Sequence, residues 1–572
     1  ELTLHSKIRF EMNKIKTIAA FAAASLLIFQ SCSDMLDVTN PNSLNDDQIR
    51  ELLASSDETK VNATLEAIGS GLEAYICLAH QALSGGFSNS YANEFSVHIS
   101  RNVACENMIY GDVSNSITDG WANYYNHTYN AADKNENAGC YGWWYSSSYI
   151  IAQANKAATY LTDEVATSPN ALPAVKTYAA QAKTLRAYGY LQLMERFRKA
   201  YKYGGSEQQG MPIYTKYAYN TPVAPKTAQE TWEWIIKELE DAGTYFAAGK
   251  NSATDGYTTV NPTDLTTFYD IDRTLSDYYL ARACLDYGEY NKAIAACQRI
   301  LAKYPALIDE AHYGVQTSRL DDIATPLDDT WKKGKDEVRN DDNAFLSIPS
   351  NPEVLFGWTS ESNLYSWTIL NSLKAGNSKS GLFQISQSLY DKIDDNDYRK
   401  GIFADHEIES YPYFTDNGHA ASTLLKYTNL KWGATISQNA NERTIANISS
   451  DQIILRSSEV LLMLAEAQYQ AGKEADAKTT LNKLLAARTK SGAPTLTCDN
   501  YKGGLGTWEQ IQLQWQIEMW GENGLDYYCH KRWNTDAVRQ SGNHWKDYTW
   551  KVEDMEWQIP QKELSTNSNW NK

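Results

Sequence analysis

The stretch LARACLDYGEYNKAIAACQRILAKYP, residues 280–305, constrains the fold more than any other part of the chain. Leu280, Ala281, Cys284, Gly288, Tyr290, Ala293, Ile294, Cys297, Ile300 and Pro305 fall at the spacing of a tetratricopeptide repeat. In such a repeat small residues let two helices cross closely, and the proline ends the second. A second copy, LMLAEAQYQAGKEADAKTTLNKLLAAR, puts Leu464, Ala465, Gly472, Ala477, Leu481 and Leu484 at the corresponding offsets. More degenerate hairpins run from Trp144 to Leu161 joined with Val175 to Phe197, and from Thr231 to Phe246 into the 280s. Each hairpin buries its apolar stripe only against a neighbour, so the repeats are expected to stack into one curved array. Period-two alternation is scarce. The expectation is therefore a mainly α fold, a tetratricopeptide-like helical repeat scaffold with a loop-rich ligand-binding face. Its repeat helices are expected at about 144–197, 231–305 and 450–490.

Upstream, Met12 opens MNKIKTIAAFAAASLLIFQSC, with Lys14 and Lys16 before an apolar run of twelve residues from Ile18 to Phe29. A bilayer takes roughly 18 to 20 apolar residues to span, so this run reads as an export signal. Cys32, preceded by Ser31, is the expected lipidation site and the first residue of the mature chain. That reading assigns residues 1–31 to upstream residues and a lipoprotein signal peptide, and 32–572 to one domain. Acyl chains contribute about 0.8 kcal/mol of membrane affinity per buried methylene, enough to tether a soluble body durably. The following SDMLDVTNPNSLNDD reads as a short polar tether.

The chain carries 70 acidic against 52 basic residues, a net charge of −18, which repels phosphate backbones and argues against nucleic acid as a partner. Apart from Cys32, seven cysteines remain; the number is odd and no CxxC occurs, so neither a disulfide framework nor a zinc site is indicated. HExxH, GxSxG and P-loop motifs are missing, and no cofactor is expected. The nine histidines show no i, i+4 pair, which leaves a helical metal site unsupported. DDNDYRKG has the spaced acids of a calcium loop, but Arg399 stands where an oxygen ligand belongs, and the segment reads as a solvated turn. No catalytic residue is assigned.

Between the repeats lie two segments that a solenoid does not need, about 80–142 and about 305–450, both rich in Gly, Asn, Ser, Tyr and Trp. Function usually sits in such segments. The chain holds 38 Tyr and 17 Trp against 13 Phe, an excess of rings with a polar handle. A sugar ring offers an apolar C–H face to such rings, while its hydroxyls seek Asn, Asp and Arg. SNSYANEF and ITDGWANYYNHTYN supply Tyr91, Asn93, Trp121, Tyr124 and Tyr125; GWTSESNLYSW supplies Trp358, Tyr365 and Trp367. These eight are the expected ligand contacts, exposed platforms brought to one surface by the stacked array. Trp144, Trp232, Trp234, Trp520 and Trp533 are assigned to packing.

Several ordered motifs resemble the SusD/RagB family of outer-membrane nutrient-binding lipoproteins. SCSDMLDVTNPN looks like the family's lipidated start. WYSSSYIIAQAN resembles its W-x-x-x-Y-x-x-I-x-x-A-N helix through Trp144, Ile151, Ala154 and Asn155, with Ser148 in place of the usual Tyr. AQAKTLRAYGYLQLMERF is similar to its A-x-A-x-x-x-R-A-x-x-Y-x-x-L helix; NPEVLFGW, DNDYRKGIF and ILRSSEVLLMLAEAQ also match. QIEMWGENGLDYYCHKRW resembles E-L-x-x-E-G-x-x-x-F-D-L-x-R-W, with one extra residue at Asn523 and Cys529 where Asp is usual, which puts the pairing of Arg532 in question. WQIPQKELSTNSN resembles the N-P-N tail, with Ser568 replacing Pro. The resemblance implies a non-enzymatic protein that holds a glycan beside a SusC-like TonB-dependent transporter, on the outer membrane and facing the exterior. Peptide capture is the alternative within the family, and a surface glycosidase the alternative outside it.

Overall fold

A computed structural model describes residues 45–69, 72, 94–110, 125–127, 139–217, 221–258, 270–321, 338, 340–359, 383–415, 418–434, 451–540 and 542–570. The helices that position the site are α1 (Glu94–Ala104), α2 (Gly139–Ala158), α3 (Pro173–Phe197), α4 (Ala228–Ala247), α5 (Arg273–Tyr287), α6 (Tyr290–Lys303), α7 (Ser457–Gln470), α8 (Glu474–Ala487), α9 (Thr507–Glu518) and α10 (Leu525–Trp533). From α2 to α8 each helix packs on the next in chain order, and α9 then packs on α7. The fold is mainly α, as the repeat spacing predicts.

Local chemistry explains the helix ends. Thr227 and Glu230 form a reciprocal capping box at the start of α4. Gly288, at φ +105°, turns the chain between α5 and α6, and its N–H donates to the Cys284 carbonyl at 2.9 Å. On α6 the buried residues Ala293, Ile294, Ala296, Cys297 and Ile300 form one face at helical spacing. Trp232, Trp520 and Trp533 are in the core, and Trp234 is partly buried against Tyr190. Cys105, Cys284, Cys297, Cys498 and Cys529 are free, buried thiols.

Strands are short and pair across long sequence separations. β1 (Met108–Tyr110) pairs antiparallel with β3 (Phe383–Ile385). β2 (Val354–Trp358) pairs antiparallel with β6 (Gln452–Arg456), and β4 (Ile408–Thr415) forms a hairpin with β5 (Gly418–Leu424). Thus β6, which leads into α7, ties the segment before it to the last repeat.

A wholly buried charge network holds this junction. Glu518, at the end of α9, accepts from Arg399 Nη1 at 2.9 Å, Arg488 Nη2 at 2.8 Å and Arg456 Nη1 at 3.1 Å. Glu353 pairs with Arg456 and Arg488, each at 2.5 Å, and Glu522 with Arg456 and Lys431 at 2.6 and 2.5 Å. Asp397 meets Arg399 at 2.5 Å with neither side chain exposed. The expectation of a solvated turn at DDNDYRKG is corrected here. Arg399 does not displace an ion's oxygen ligand at a wet surface; it is itself the cation, and Glu518 and Tyr501, each more than 100 residues away, complete its setting. Isolated buried charges cost several kcal/mol each, so the equal numbers of cations and carboxylates are what make the arrangement tenable.

The departures near the C-terminus are accommodated. Asn523 takes φ +49° and donates its side-chain amide to the Ile454 carbonyl at 2.6 Å, absorbing the extra residue in a left-handed turn. Arg532 pairs with Glu466 through two bonds of 2.7 and 3.0 Å and lies 3.4 Å from Asp286, so its charge is met without an Asp at position 529.

Candidate functional site

A cleft of about 530 Å³ opens between α2, α3, the loop after α3 and the C-terminal segment. That lies within the roughly 300–1,000 Å³ typical of small-ligand sites. Trp144, Ser148, Ile151 and Asn155 fall along one stripe of α2 and form the floor with Tyr190 and Leu193 of α3. The two helices cross closely because α3 has Gly189 at the contact, where a Cβ would lie 2.6 Å from the Ile151 side chain.

The walls are fastened to that floor by hydrogen bonds. Tyr190 donates its hydroxyl to the Pro212 carbonyl at 3.1 Å and accepts the Tyr214 N–H at 2.6 Å. Asn155 donates to the Tyr214 carbonyl at 2.9 Å. From the other side, Asn567 donates to the Val223 carbonyl at 2.9 Å and Asn569 to the Pro222 carbonyl at 3.0 Å. The two asparagines of the tail motif therefore pin the loop, and Ser568 between them leaves that function intact.

Polar groups converge on this aromatic space. Glu563 lines it, its carboxyl pushed up by burial against the opposing hydrogen bonds of Asn567 and Trp144. Burial raises the Tyr214 phenol to about 12. Lys156 stands 4.9 Å over the Tyr217 ring, and burial lowers its ammonium. Rings, hydroxyls, the amides of Asn155 and Asn567 and one carboxyl face a common volume.

Cys32, the expected lipid attachment, and the expected ligand contacts Tyr91, Asn93, Trp121, Tyr124, Tyr365 and Trp367 lie outside the described residues. Tyr125 and Trp358 require correction as exposed platforms. Tyr125 is fully buried, stacked on Trp545 at 4.6 Å beneath the Arg539 guanidinium at 4.0 Å, with its hydroxyl 2.8 Å from His544 Nδ1. Trp358 is 3% exposed on β2, edge-on to Phe356. Polar neighbours in sequence do not keep a ring wet when long-range partners cover it. Conversely, Trp144 is buried as expected yet also borders the cleft. The signal for the cleft was Ser148: the motif's Tyr at that position would put a phenol where Ser148 lines open space.

A stacked array of helical hairpins with long inter-repeat excursions, short antiparallel strand pairs and an aromatic cleft under a C-terminal clasp defines a SusD-like architecture. Residues 365–572 match the SusD family model. Solved structures share the fold. A SusD-like carbohydrate binding protein from Bacteroides vulgatus is 18% identical with a TM-score of 0.58, covering 88% of this chain and 97% of its own. A SusD superfamily protein from Bacteroides thetaiotaomicron is 16% identical at 0.60, covering 88% and 98%. A putative sugar binding protein from Bacteroides vulgatus is 17% identical at 0.59, covering 89% and 97%. No curated protein matches the chain. The sequence resemblance to the SusD/RagB family is carried by residues 365–572, and the solved structures show the same fold over most of the chain.

Proposed function

We propose that this chain is a cell-surface lipoprotein that binds a glycan, oligo- or polysaccharide, and delivers it to an adjacent SusC-like TonB-dependent transporter. The cleft carries this reading: ring faces suit the apolar side of a sugar, and the hydroxyl, amide and carboxyl groups beside them suit its hydroxyls. Two proteins that share the fold are described as carbohydrate- or sugar-binding, which supports the same ligand class. Hydrolysis is disfavoured because Glu563 is the one carboxyl among the described residues lining the cleft, whereas a glycosidase needs two. The proposed organisation is a signal over 1–31, then one SusD-like domain over 32–572 with Cys32 as the anchor.

The test is a glycan array on the purified protein, repeated with Ser148→Tyr and Tyr217→Ala. Returning a phenol to position 148 should fill the cleft and cut glycan retention by tenfold or more. Loss of the Tyr217 ring removes a contact worth about 0.5–1.5 kcal/mol, a two- to tenfold weakening. Equal binding by the Ser148→Tyr protein would move the site to the untested rings at Tyr91, Trp121, Tyr124, Tyr365 and Trp367. Capture of peptides in place of glycans would favour the alternative ligand class, and product release on long incubation would establish a glycosidase.

No helix among the described residues is long and apolar enough to cross a membrane. With acyl chains as anchor, Cys32→Ala should leave melting unchanged and release the protein from membranes. A mutant that still pellets with membrane after a salt wash would overturn lipidation.

A further inference from the structure

Where α1 ends, Cys105 and Glu106 lead into β1; α10 packs on α1 and presents Asp526 and His530 one turn apart. Cys105 Sγ, a carboxylate oxygen from each of Glu106 and Asp526, and a ring nitrogen of His530 lie within 4.8 Å of one another. We propose that these four residues form a site for a zinc-class divalent cation.

The donor set fits. Thiolate, imidazole and carboxylate together suit a borderline-soft ion such as zinc. Ligand distances of about 2.0–2.3 Å in a tetrahedron put donor atoms roughly 3.3–3.7 Å apart, so donors already within 4.8 Å need only small adjustments. His530 Nδ1 lies 3.2 Å from the Thr535 carbonyl and 2.9 Å from its hydroxyl. A carbonyl can only accept, so a proton on Nδ1 leaves the Nε2 lone pair for a metal, the orientation second-shell carbonyls impose on ligating histidines. Asn107 Nδ2 holds both Asp526 oxygens at 2.9 Å, a second partner of that kind.

Charge points the same way. Glu106 and Asp526 are two half-buried carboxylates in one cluster, and among the described residues no lysine or arginine pairs with Asp526. Arg539, which packs on the same loop, directs its donors to the carbonyls of Val103, Ala104, Cys105 and Tyr125. His530 occupies the position of the leucine in F-D-L-x-R-W, so this chain departs from the motif by placing an imidazole inside its C-terminal helix packing. A search for paired histidines passes over the site, because its i, i+4 pair is Asp526 and His530.

The competing arrangement is an imidazolium ion-paired with Glu106, whose oxygens lie 2.9 and 3.1 Å from Nε2. Chelator-treated full-length protein titrated with Zn²⁺ by calorimetry and with Co²⁺ by absorption separates the two. We expect one ion per chain and a thiolate-to-cobalt charge-transfer band. His530→Leu, which restores the motif residue, and Cys105→Ala should each retain a cooperative melt and lose more than about 100-fold in Zn²⁺ affinity; Asn107→Ala should lose about 10- to 100-fold. No Zn²⁺ binding by a folded protein, or binding without the charge-transfer band and indifferent to His530→Leu, would overturn the site and leave the ion pair.

Discussion

Glu518→Ala should be the most damaging single substitution in the chain, costing at least about 3–5 kcal/mol. Glu518 is fully buried and is shared by three guanidiniums, Arg399, Arg456 and Arg488. Removing it returns none of them to water. Against a typical reserve of about 5–15 kcal/mol, such a loss should appear as poor folding yield and a strongly lowered melting temperature. Glu518→Gln keeps the shape and part of the hydrogen bonding, so it should fall between the mutant and the parent. Burial alone would raise this carboxyl, but Arg488, then Arg456 and Arg399, outweigh it and hold the group well below its usual 4.5. A depressed folded-state value means the contribution is full above 4.5 and is lost as pH falls through the depressed value. The parent should therefore melt earlier in acid, and Glu518→Gln should show a shallower dependence over that window. A Glu518→Ala protein melting like the parent would show that the network does not hold the junction together.

The second large effect is expected from Ala281→Trp on α5 and Ala465→Trp on α7. Both alanines are completely buried, and α6 packs on both of these helices. An indole there can be placed only by forcing the helices apart, at about 1–3 kcal/mol or more for each site. Because repeats stabilise one another through their interfaces, the damage should spread to neighbouring hairpins and broaden the thermal transition. Parent-like melting of both mutants would remove the repeat packing from the account.

Helical hairpins were legible because their information is local: spacing of small residues, a glycine at the turn and a proline after the second helix all lie within one 26-residue stretch at 280–305. Charge was misread for the opposite reason. Nothing near Asp397 or Arg399 in sequence announces Glu518 or Tyr501, so acids and bases that neutralise each other in the interior look like solvent-facing residues. Tyr125 was misplaced likewise, since Trp545, His544 and Arg539 arrive from more than 400 residues downstream. Of the cleft, Ser148, Tyr190 and the tail asparagines were visible as motif positions, but their meeting place was not. The loop residues Tyr214 and Tyr217 belong to no motif: Tyr214 is located by hydrogen bonds to α2, α3 and the tail, and Tyr217 lies beneath Lys156 of α2.

The clasp formed by Asn567 and Asn569 also has a temporal side. These residues reach back more than 340 positions to hold Pro222 and Val223. Helices α2 and α3 can pair as soon as they leave the ribosome, but the wall of the cleft is latched only when Asn567 and Asn569 arrive. A chain cut before Asn567 would keep most of its architecture and lack the latch on the cleft wall.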